Sequence, residues 1–139
     1  MAKAKVVLVD DMQFVGIADS GHAVVMDAPV SVGGKNSAST PMELLLSAFG
    51  GCSGMDVISI LRKKKQNVSR LEINVEGKMA TDYPKIYTDI HIEYVVSGKD
   101  ISKEAVERAI GISLEKYCSV GAILGKAGKI THSYKIIQE

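Results

Sequence analysis

Hydrophobic and polar positions in the first third of the chain follow the pattern of short β-strands. Segments rich in Val and Ile span residues 5–9, 13–18 and 22–27, and Asp, Ser and Gly residues separate them. Turn residues between β-branched runs are typical of antiparallel hairpins. We therefore predict a three-stranded meander over residues 5–28. Residues 31–40 are rich in Gly and Ser without an apolar period, and we predict a mobile loop there.

A helical period begins after this loop. Thr40 is predicted to be the N-cap, with Pro41 at the first helical position and Glu43 completing a capping box. Apolar residues then recur every three or four positions as far as Leu61. The basic residues 62–65 suit the negative end of the helix dipole. The pattern predicts one long central helix over residues 41–66.

The second half of the chain alternates between strand and helix periods. Apolar and polar residues alternate over much of residues 70–97, which predicts a long β-hairpin. An amphipathic helix and a short third helix follow within residues 102–124. Gly125 and Gly128 are predicted to interrupt the regular structure before a last strand over residues 129–137. Since no repeat or linker divides the sequence, we predict a single α+β domain over residues 1–139.

Composition narrows the class of protein. The chain has 17 basic and 16 acidic residues, and its net charge of +1 gives no field that would attract nucleic acid or anionic lipid. No signal-peptide pattern is present, and no uninterrupted apolar run approaches the roughly 20 residues of a membrane span. We therefore expect a cytoplasmic protein that neither binds nucleic acid nor inserts into a membrane.

Two cysteines, Cys52 and Cys118, are the candidate reactive groups. Cys52 lies mid-helix among Gly50, Gly51 and Gly54, and each glycine costs a helix about 1 kcal/mol relative to alanine. This cost suggests that another backbone or a substrate approaches the Cys52 turn closely. If Cys118 lies in the first turn of the third helix, unpaired N–H groups there would lower its pKa.

The two thiols have a catalytic and a structural interpretation. A thiolate that forms a sulfenic acid and a second thiol that resolves it suffice for reduction of a peroxide. Two buried core cysteines are the alternative, because free cysteine is among the most buried residue types. Neither thiol has partners at zinc-binding spacing, so we expect no metal site. Glu43 could polarise the thiol site, but at nine residues before Cys52 it points away in a regular helix, which favours its capping role.

Both cysteines lie in longer motifs. The first is STPMELLLSAFGGCSGMDVISIL over residues 39–61, the second is EKYCSV over residues 115–120, and ITHSY follows at residues 130–134. Together they resemble the OsmC/Ohr family of osmotically inducible and organic hydroperoxide resistance proteins, specifically its YhfA-like branch. The resemblance covers nearly the whole chain. It implies an OsmC-like α+β fold, with antiparallel sheets around central cysteine-bearing helices, in an intertwined homodimer.

The resemblance also implies an activity. Cys52 would be the peroxidatic nucleophile and Cys118 the resolving thiol of an enzyme that reduces organic, fatty-acid-like hydroperoxides to alcohols in oxidative-stress defence. A dithiol such as a lipoylated protein would supply electrons, and no metal or other cofactor would be needed. Two further functions stay open: a non-catalytic dimer that binds an apolar ligand, and a thiol redox sensor.

Two positions depart from the family pattern. The family's peroxidases carry an arginine in the N-terminal strand region, whereas the first arginine here is Arg62. Their glutamate lies ten residues before the peroxidatic cysteine, where this chain has Met42, one position before Glu43. We consider Lys35 as a substitute for the missing positive charge, acting as a point charge without the fork of a guanidinium.

Overall fold

The computed structural model describes residues 1–139 in two compact units, residues 1–45 and residues 46–139. The first unit contains three strands, a short 3₁₀ turn and the start of a long helix: β1 (Ala4–Asp10), β2 (Gln13–Ala18), β3 (Ala23–Met26), the turn Val30–Val32 and helix α1 (Pro41–Lys63). The second unit contains the rest of α1 and the remaining elements: β4 (Asn67–Met79), β5 (Tyr87–Lys99), α2 (Lys103–Ile112), a π-helical turn (Ser113–Tyr117), α3 (Ser119–Ala127) and β6 (Lys129–Gln138).

The first unit is built on the predicted meander. Strands β1, β2 and β3 pair antiparallel in that order, with Val7 opposite Val15 and Val15 opposite Val25. The strands leave many apolar side chains strongly exposed, among them Val6, Val7, Leu8, Val9, Phe14, Ile17, Val24 and Val25. This meander therefore has apolar surface that its own unit does not cover.

Asp27 organises the segment that follows β3. Its buried carboxylate accepts hydrogen bonds from the main-chain N–H groups of Ala28 at 2.7 Å, Lys35 at 3.3 Å and Ser37 at 3.1 Å. The Ser37 hydroxyl adds a fourth bond at 2.5 Å. The hydroxyl bond and then the Ala28 N–H contribute most to lowering the pKa of Asp27 to about 2. One carboxylate thus holds both ends of a loop whose sequence shows no regular period.

Helix α1 begins at the predicted residue but ends earlier than predicted. The Thr40 N–H donates to the Glu43 carboxylate at 2.8 Å and the Glu43 N–H donates to Thr40 Oγ1 at 3.2 Å, which confirms the capping box. The predicted end at residue 66 is wrong, since the helix stops at Lys63. Lys65 has a positive φ of 61°, and the N–H groups of residues 65 and 66 bond back to residues 62 and 61. This is the Schellman geometry, usually marked by a glycine that this sequence lacks.

Helix α1 is apolar along most of its length. The helix has 23 residues, and its most apolar window has a mean hydropathy of 1.7, so by length and composition it could cross a membrane. The apolar run within this helix is not uninterrupted, because glycines, serines, Glu43 and Asp56 divide it, but these residues leave its mean hydropathy high. Core helices of soluble proteins pass the same test. Only 22% of the window is buried within the chain, so much of its apolar surface is uncovered.

The second unit contains a mixed three-stranded sheet. Strands β4 and β5 form the long antiparallel hairpin, but β6 pairs with β5 in parallel, with Ile90 beside Ile130 and Tyr94 beside Tyr134. The expectation of purely antiparallel sheets is therefore wrong for this unit. Parallel neighbours need a long crossover connection, which α2, the π-helical turn and α3 supply. The core of this unit consists mainly of apolar side chains of β5, α1 and α2: Ile90, Ile92, Tyr94, Val96, Phe49, Val57, Leu61, Val106, Ala109 and Ile110.

The helices of the crossover begin where the pattern indicates, but α3 ends later. Ser102 caps α2, its hydroxyl accepting from the Ala105 N–H at 3.2 Å. The predicted break at Gly125 is wrong, because α3 continues to Ala127 and only Gly128 ends it. A Cβ at Gly128 would lie 2.7 Å from the Thr88 carbonyl oxygen. The glycine therefore lets the chain enter β6 directly against β5.

Candidate functional site

Cys52 lies on a turn of α1 that carries almost no side chains. The thiol is half buried. A Cβ at Gly54 would lie 2.8 Å from Ile73 Cδ1, so the side chains of β4 approach the helix closely there. At Gly51, by contrast, a Cβ would have no side chain and no backbone from outside its own helix turn within 4 Å. The glycines thus serve close packing on β4 and also open one side of the Cys52 turn to solvent.

A groove of about 680 Å³ occupies this open side. It lies between α1 and β4 and is lined almost wholly by apolar or side-chain-free positions: Leu46, Ser47, Gly50, Gly51, Gly54, Met55, Ile58, Leu71, Ile73 and Val75. Apolar grooves of this size with few polar groups are typical of sites for hydrophobic ligands or partner surfaces. The groove therefore places apolar binding surface directly beside the cysteine-bearing turn.

Cys118 is the N-cap of α3, as its position before the third helix suggested. Its Sγ accepts the Gly121 N–H at 3.3 Å and is buried. The expected pKa lowering is wrong: burial raises the pKa of the thiol to about 11, against the opposing effect of the Gly121 N–H. Cys52 and the Asp56 carboxylate raise it further. Desolvation of the thiolate outweighs one N–H group at the end of a short helix, so Cys118 is a neutral thiol at pH 7.

The structure brings the two candidate cysteines together. The Cys52 thiol lies near enough to Cys118 to raise the pKa of that thiol, and both cysteines are free. Close packing surrounds the pair, since a Cβ at Gly121 would lie 2.9 Å from the Phe49 ring and 3.2 Å from Cys118 Sγ. The two groups whose charge acts on Cys118 are the Cys52 thiol and the Asp56 carboxyl, and both are acidic. The two free thiols therefore lie near each other, and no cation is among the groups that act on Cys118.

A chain of buried hydroxyls lies beside the cysteine pair. Ser53 Oγ is 2.5 Å from Tyr94 Oη and 2.8 Å from Ser113 Oγ, and Ser113 Oγ donates to Asp56 Oδ2 at 2.8 Å. Burial raises the pKa of Tyr94 to about 12. Sequence reasoning gave these residues no functional role, although one signal was present: Ser53 and Ser113 are polar residues on otherwise apolar helical faces.

Glu43 and Lys35 are engaged elsewhere. The main-chain and side-chain hydrogen bonds with Thr40 lower the pKa of Glu43, which acts as the helix cap. The Lys35 ammonium lies 2.9 Å from an Asp11 oxygen and 3.0 Å from an Asp10 oxygen, and these carboxylates raise its pKa. Lys35 is thus paired with two negative charges of its own unit. No group of three or more His, Cys, Asp or Glu side chains could hold a metal ion.

An α+β chain with a free cysteine on its central helix beside a second free cysteine defines a class of thiol proteins, and comparison with known proteins specifies the family. Residues 34–133 match the family model described as OsmC-like protein. The chain is 40% identical to Protein YhfA of Escherichia coli (strain K12) over 135 residues, which are 97% of this chain and 98% of that protein. The chain belongs to the OsmC-like protein family, which confirms the resemblance seen in its sequence motifs.

Solved structures show the same fold. A hypothetical protein from Aquifex aeolicus VF5 is 33% identical, with a TM-score of 0.87 over 100% of this chain and 98% of that chain. An organic hydroperoxide resistance protein OsmC from Legionella pneumophila has a TM-score of 0.73 over 97% of this chain and 96% of that chain. That likeness, at 13% identity, shows the fold alone.

Proposed function

We propose that this protein is a thiol-dependent peroxidase that reduces organic hydroperoxides to alcohols in oxidative-stress defence. The observation that carries the proposal is the proximity of a half-buried thiol, Cys52, to a buried thiol, Cys118. A two-cysteine peroxidase needs one thiol that a substrate can reach and a second within reach of the first. Structural neighbours named as organic hydroperoxide resistance proteins support the same activity for the family.

The proposed cycle uses each thiol once. The Cys52 thiolate attacks the distal peroxide oxygen, the O–O bond breaks, and the alkoxide takes a proton and leaves as the alcohol. Cys118 then attacks the sulfur of the Cys52 sulfenic acid, and the hydroxyl group leaves as water with the Cys118 proton. A dithiol, such as a lipoylated protein, reduces the resulting disulfide. The chain needs no metal or other cofactor for these steps.

The raised pKa of Cys118 suits the resolving role. A thiol with a pKa of about 11 is almost entirely protonated at neutral pH and does not compete with Cys52 for peroxide. Once Cys52 is oxidised, the nearby neutral thiol needs to lose its proton only during the attack. The environments of the two thiols thus support different steps of one cycle.

The apolar groove supports a bulky substrate and a homodimer. A hydroperoxide with a fatty-acid-like chain would place its hydrocarbon part along the groove and its peroxide group beside the Cys52 turn. A second copy of the chain would cover the exposed apolar surface of α1 and turn the open groove into a closed pocket. We propose that the active form is this dimer and that it works in the cytoplasm.

The activity is tested by rapid-quench oxidation of the reduced protein with cumene hydroperoxide and with hydrogen peroxide. We expect faster reaction with the organic peroxide and a Cys52–Cys118 disulfide by mass spectrometry. Cys52→Ser should abolish peroxide consumption, whereas Cys118→Ser should stop after one oxidation with a sulfenic acid that dimedone traps. Ser59→Ala, an exposed position of the same helix, is the matched control. Full consumption by Cys52→Ser, or thiols no faster than free cysteine, would contradict the proposal.

One observation favours a second function, a dimer that binds an apolar ligand without turnover. The groove beside the Cys52 turn offers apolar surface to a hydrophobic ligand whether or not the thiols react. This function predicts peroxide-inert thiols and a co-purified lipid in native mass spectrometry. An empty groove with no affinity for fatty acids would exclude it.

A further inference from the structure

Ser113 connects the two segments that carry the cysteines. Its hydroxyl lies 2.8 Å from Ser53 Oγ, on the residue directly after Cys52, and its carbonyl oxygen accepts the Cys118 N–H at 2.7 Å. The same hydroxyl donates to Asp56, one turn further along α1. One residue thus binds the Cys52 turn through its side chain and Cys118 through its main chain.

The hydrogen bonds that link Tyr94, Ser53, Ser113 and Asp56 can run in only one direction. The Asp56 carboxylate accepts, so the Ser113 proton is committed to it and Ser113 Oγ must accept from Ser53. Ser53 Oγ then accepts from the Tyr94 hydroxyl. Each of the three hydroxyls donates one hydrogen bond, the two serine hydroxyls each accept one, and no buried polar side-chain atom lacks a partner. A fully satisfied buried network of this kind has one low-energy arrangement and resists displacement of its members.

The backbone around Ser113 is adapted to the same contact. Residues Ser113–Tyr117 form a π-helical turn, and the bond from the Cys118 N–H to the Ser113 carbonyl has the five-residue spacing of that turn. Such turns are rare insertions in α-helices and occur frequently at functional sites. The wider turn lets the chain leave the helix at Cys118 while Ser113 stays directed toward α1.

We propose that Ser113 is a positioning residue for the Cys52–Cys118 disulfide. Together with Ser53, Tyr94 and Asp56, it fixes the separation of the two thiols, so that the second thiol reaches the oxidised first one without rearrangement of the backbone. This inference rests on the cysteine pair of the proposed function, but it applies to any oxidant that modifies Cys52. Fixing two reactants in contact raises their effective concentration, and hence both the rate and the equilibrium of disulfide formation.

Glutathione disulfide tests this inference without any peroxide. In the first step the Cys52 thiolate attacks glutathione disulfide and releases one glutathione, which leaves a mixed disulfide on Cys52. In the second step Cys118 attacks the Cys52 sulfur, loses its proton and releases the second glutathione. Quenching with acid and mass spectrometry separates the two steps, and redox titration gives the overall equilibrium constant.

We expect Ser113→Ala to lower the equilibrium constant and the rate of the second step by about tenfold, while the first step stays within about twofold of wild type. Asp56→Asn removes the carboxylate that accepts the Ser113 hydroxyl proton, and Tyr94→Phe removes the hydroxyl that donates to Ser53. Both variants should also lower the rate and the equilibrium constant of the second step. The controls are Ser59→Ala on α1 and Asp82→Asn in the β4–β5 turn, both exposed. They should leave both steps unchanged.

The inference is overturned if Ser113→Ala and Asp56→Asn both keep wild-type second-step rates, or if they slow both steps equally. A purely structural loss would appear as a lower free energy of unfolding of the reduced protein without a difference between the steps. The outcome is separate from that of the proposed function. Peroxide-inert thiols combined with a selectively slowed second step would leave this inference standing and reject the peroxidase.

Discussion

At the scale of single residues, Asp27 shows how one carboxylate organises a stretch of chain that has no regular period. Four hydrogen bonds from residues 28, 35 and 37 converge on it. Hydrogen bonds to the ionised form favour that form, which is why the pKa falls to about 2 from an ordinary value of 3.8. The energy of the loop is therefore linked to ionisation of this one group.

This linkage predicts a pH dependence. Because the folded-state pKa of Asp27 lies below its unfolded value, its contribution to stability is complete above about pH 4 and is lost as the pH falls through about 2. Asp27→Asn should lower the free energy of unfolding at neutral pH, and its difference from wild type should shrink over this acid range. Denaturant unfolding at several pH values measures it, with exposed Asp19→Asn as control. A difference that stays constant down to pH 2 would contradict the prediction.

Cys118 illustrates which residue properties the sequence misses. The prediction placed it correctly at the start of a helix, yet the direction of its pKa shift was wrong. A helix terminus is a local feature that sequence spacing reveals. Desolvation depends on what packs around the thiol from distant parts of the chain, here the Phe49 ring against Gly121. Burial therefore decided the charge state, and no local pattern could show it.

At the scale of elements, the hydrogen bonds at the N-terminus of α1 allow the capping role of Glu43 to be tested apart from a catalytic role. The reciprocal bonds with Thr40 satisfy two N–H groups, so Thr40→Ala should lower the free energy of unfolding by about 1 kcal/mol. Glu43→Gln keeps an accepting oxygen and should cost less. Neither variant should change the rate of Cys52 oxidation. Thermal unfolding and peroxide kinetics measure both effects, and a Glu43→Gln protein of unchanged stability but markedly slower oxidation would place Glu43 in the site.

Element boundaries were predictable where side chains mark them. Thr40 and Ser102 mark the starts of α1 and α2, because each hydroxyl accepts a main-chain N–H of the first helical turn that has no partner within the helix. The end of α1 was missed because Lys65 takes the left-handed conformation that glycine usually marks. The partner of β6 was also missed. Its alternation is the same for parallel and antiparallel neighbours, so only the path of the crossover helices determines the direction of pairing.

At the scale of the whole molecule, uncovered apolar surface predicts self-association. Met55 is 73% exposed on α1 and lines the groove beside Cys52. Burial of such side chains by a second copy would stabilise a homodimer by roughly 25 cal/mol per Å² of apolar area. We expect sedimentation at micromolar concentration to show twice the 14.9 kDa mass of the chain.

A charge in the groove should weaken this dimer. Met55→Lys would leave an ammonium unpaired in an apolar interface, so the variant should dissociate toward 14.9 kDa and lose hydroperoxide turnover. Asp82→Lys adds a lysine in the β4–β5 turn instead and should remain dimeric. Wild-type protein that sediments as a monomer, or Met55→Lys protein that remains a dimer of wild-type affinity, would reject the α1 interface.

The sequence by itself determined the order of strands and helices, the capping box of α1, the glycine-rich turn around Cys52 and the family. These features are local: periodicity, turn chemistry and short motifs lie within neighbouring residues. The tertiary structure alone decided the parallel pairing of β6, the proximity of Cys52 to Cys118, the neutral state of Cys118 and the row of hydrogen-bonded hydroxyls through Ser113. Each of these depends on groups far apart in the chain meeting where water is excluded, because hydrogen-bond partners and desolvation are set by packing.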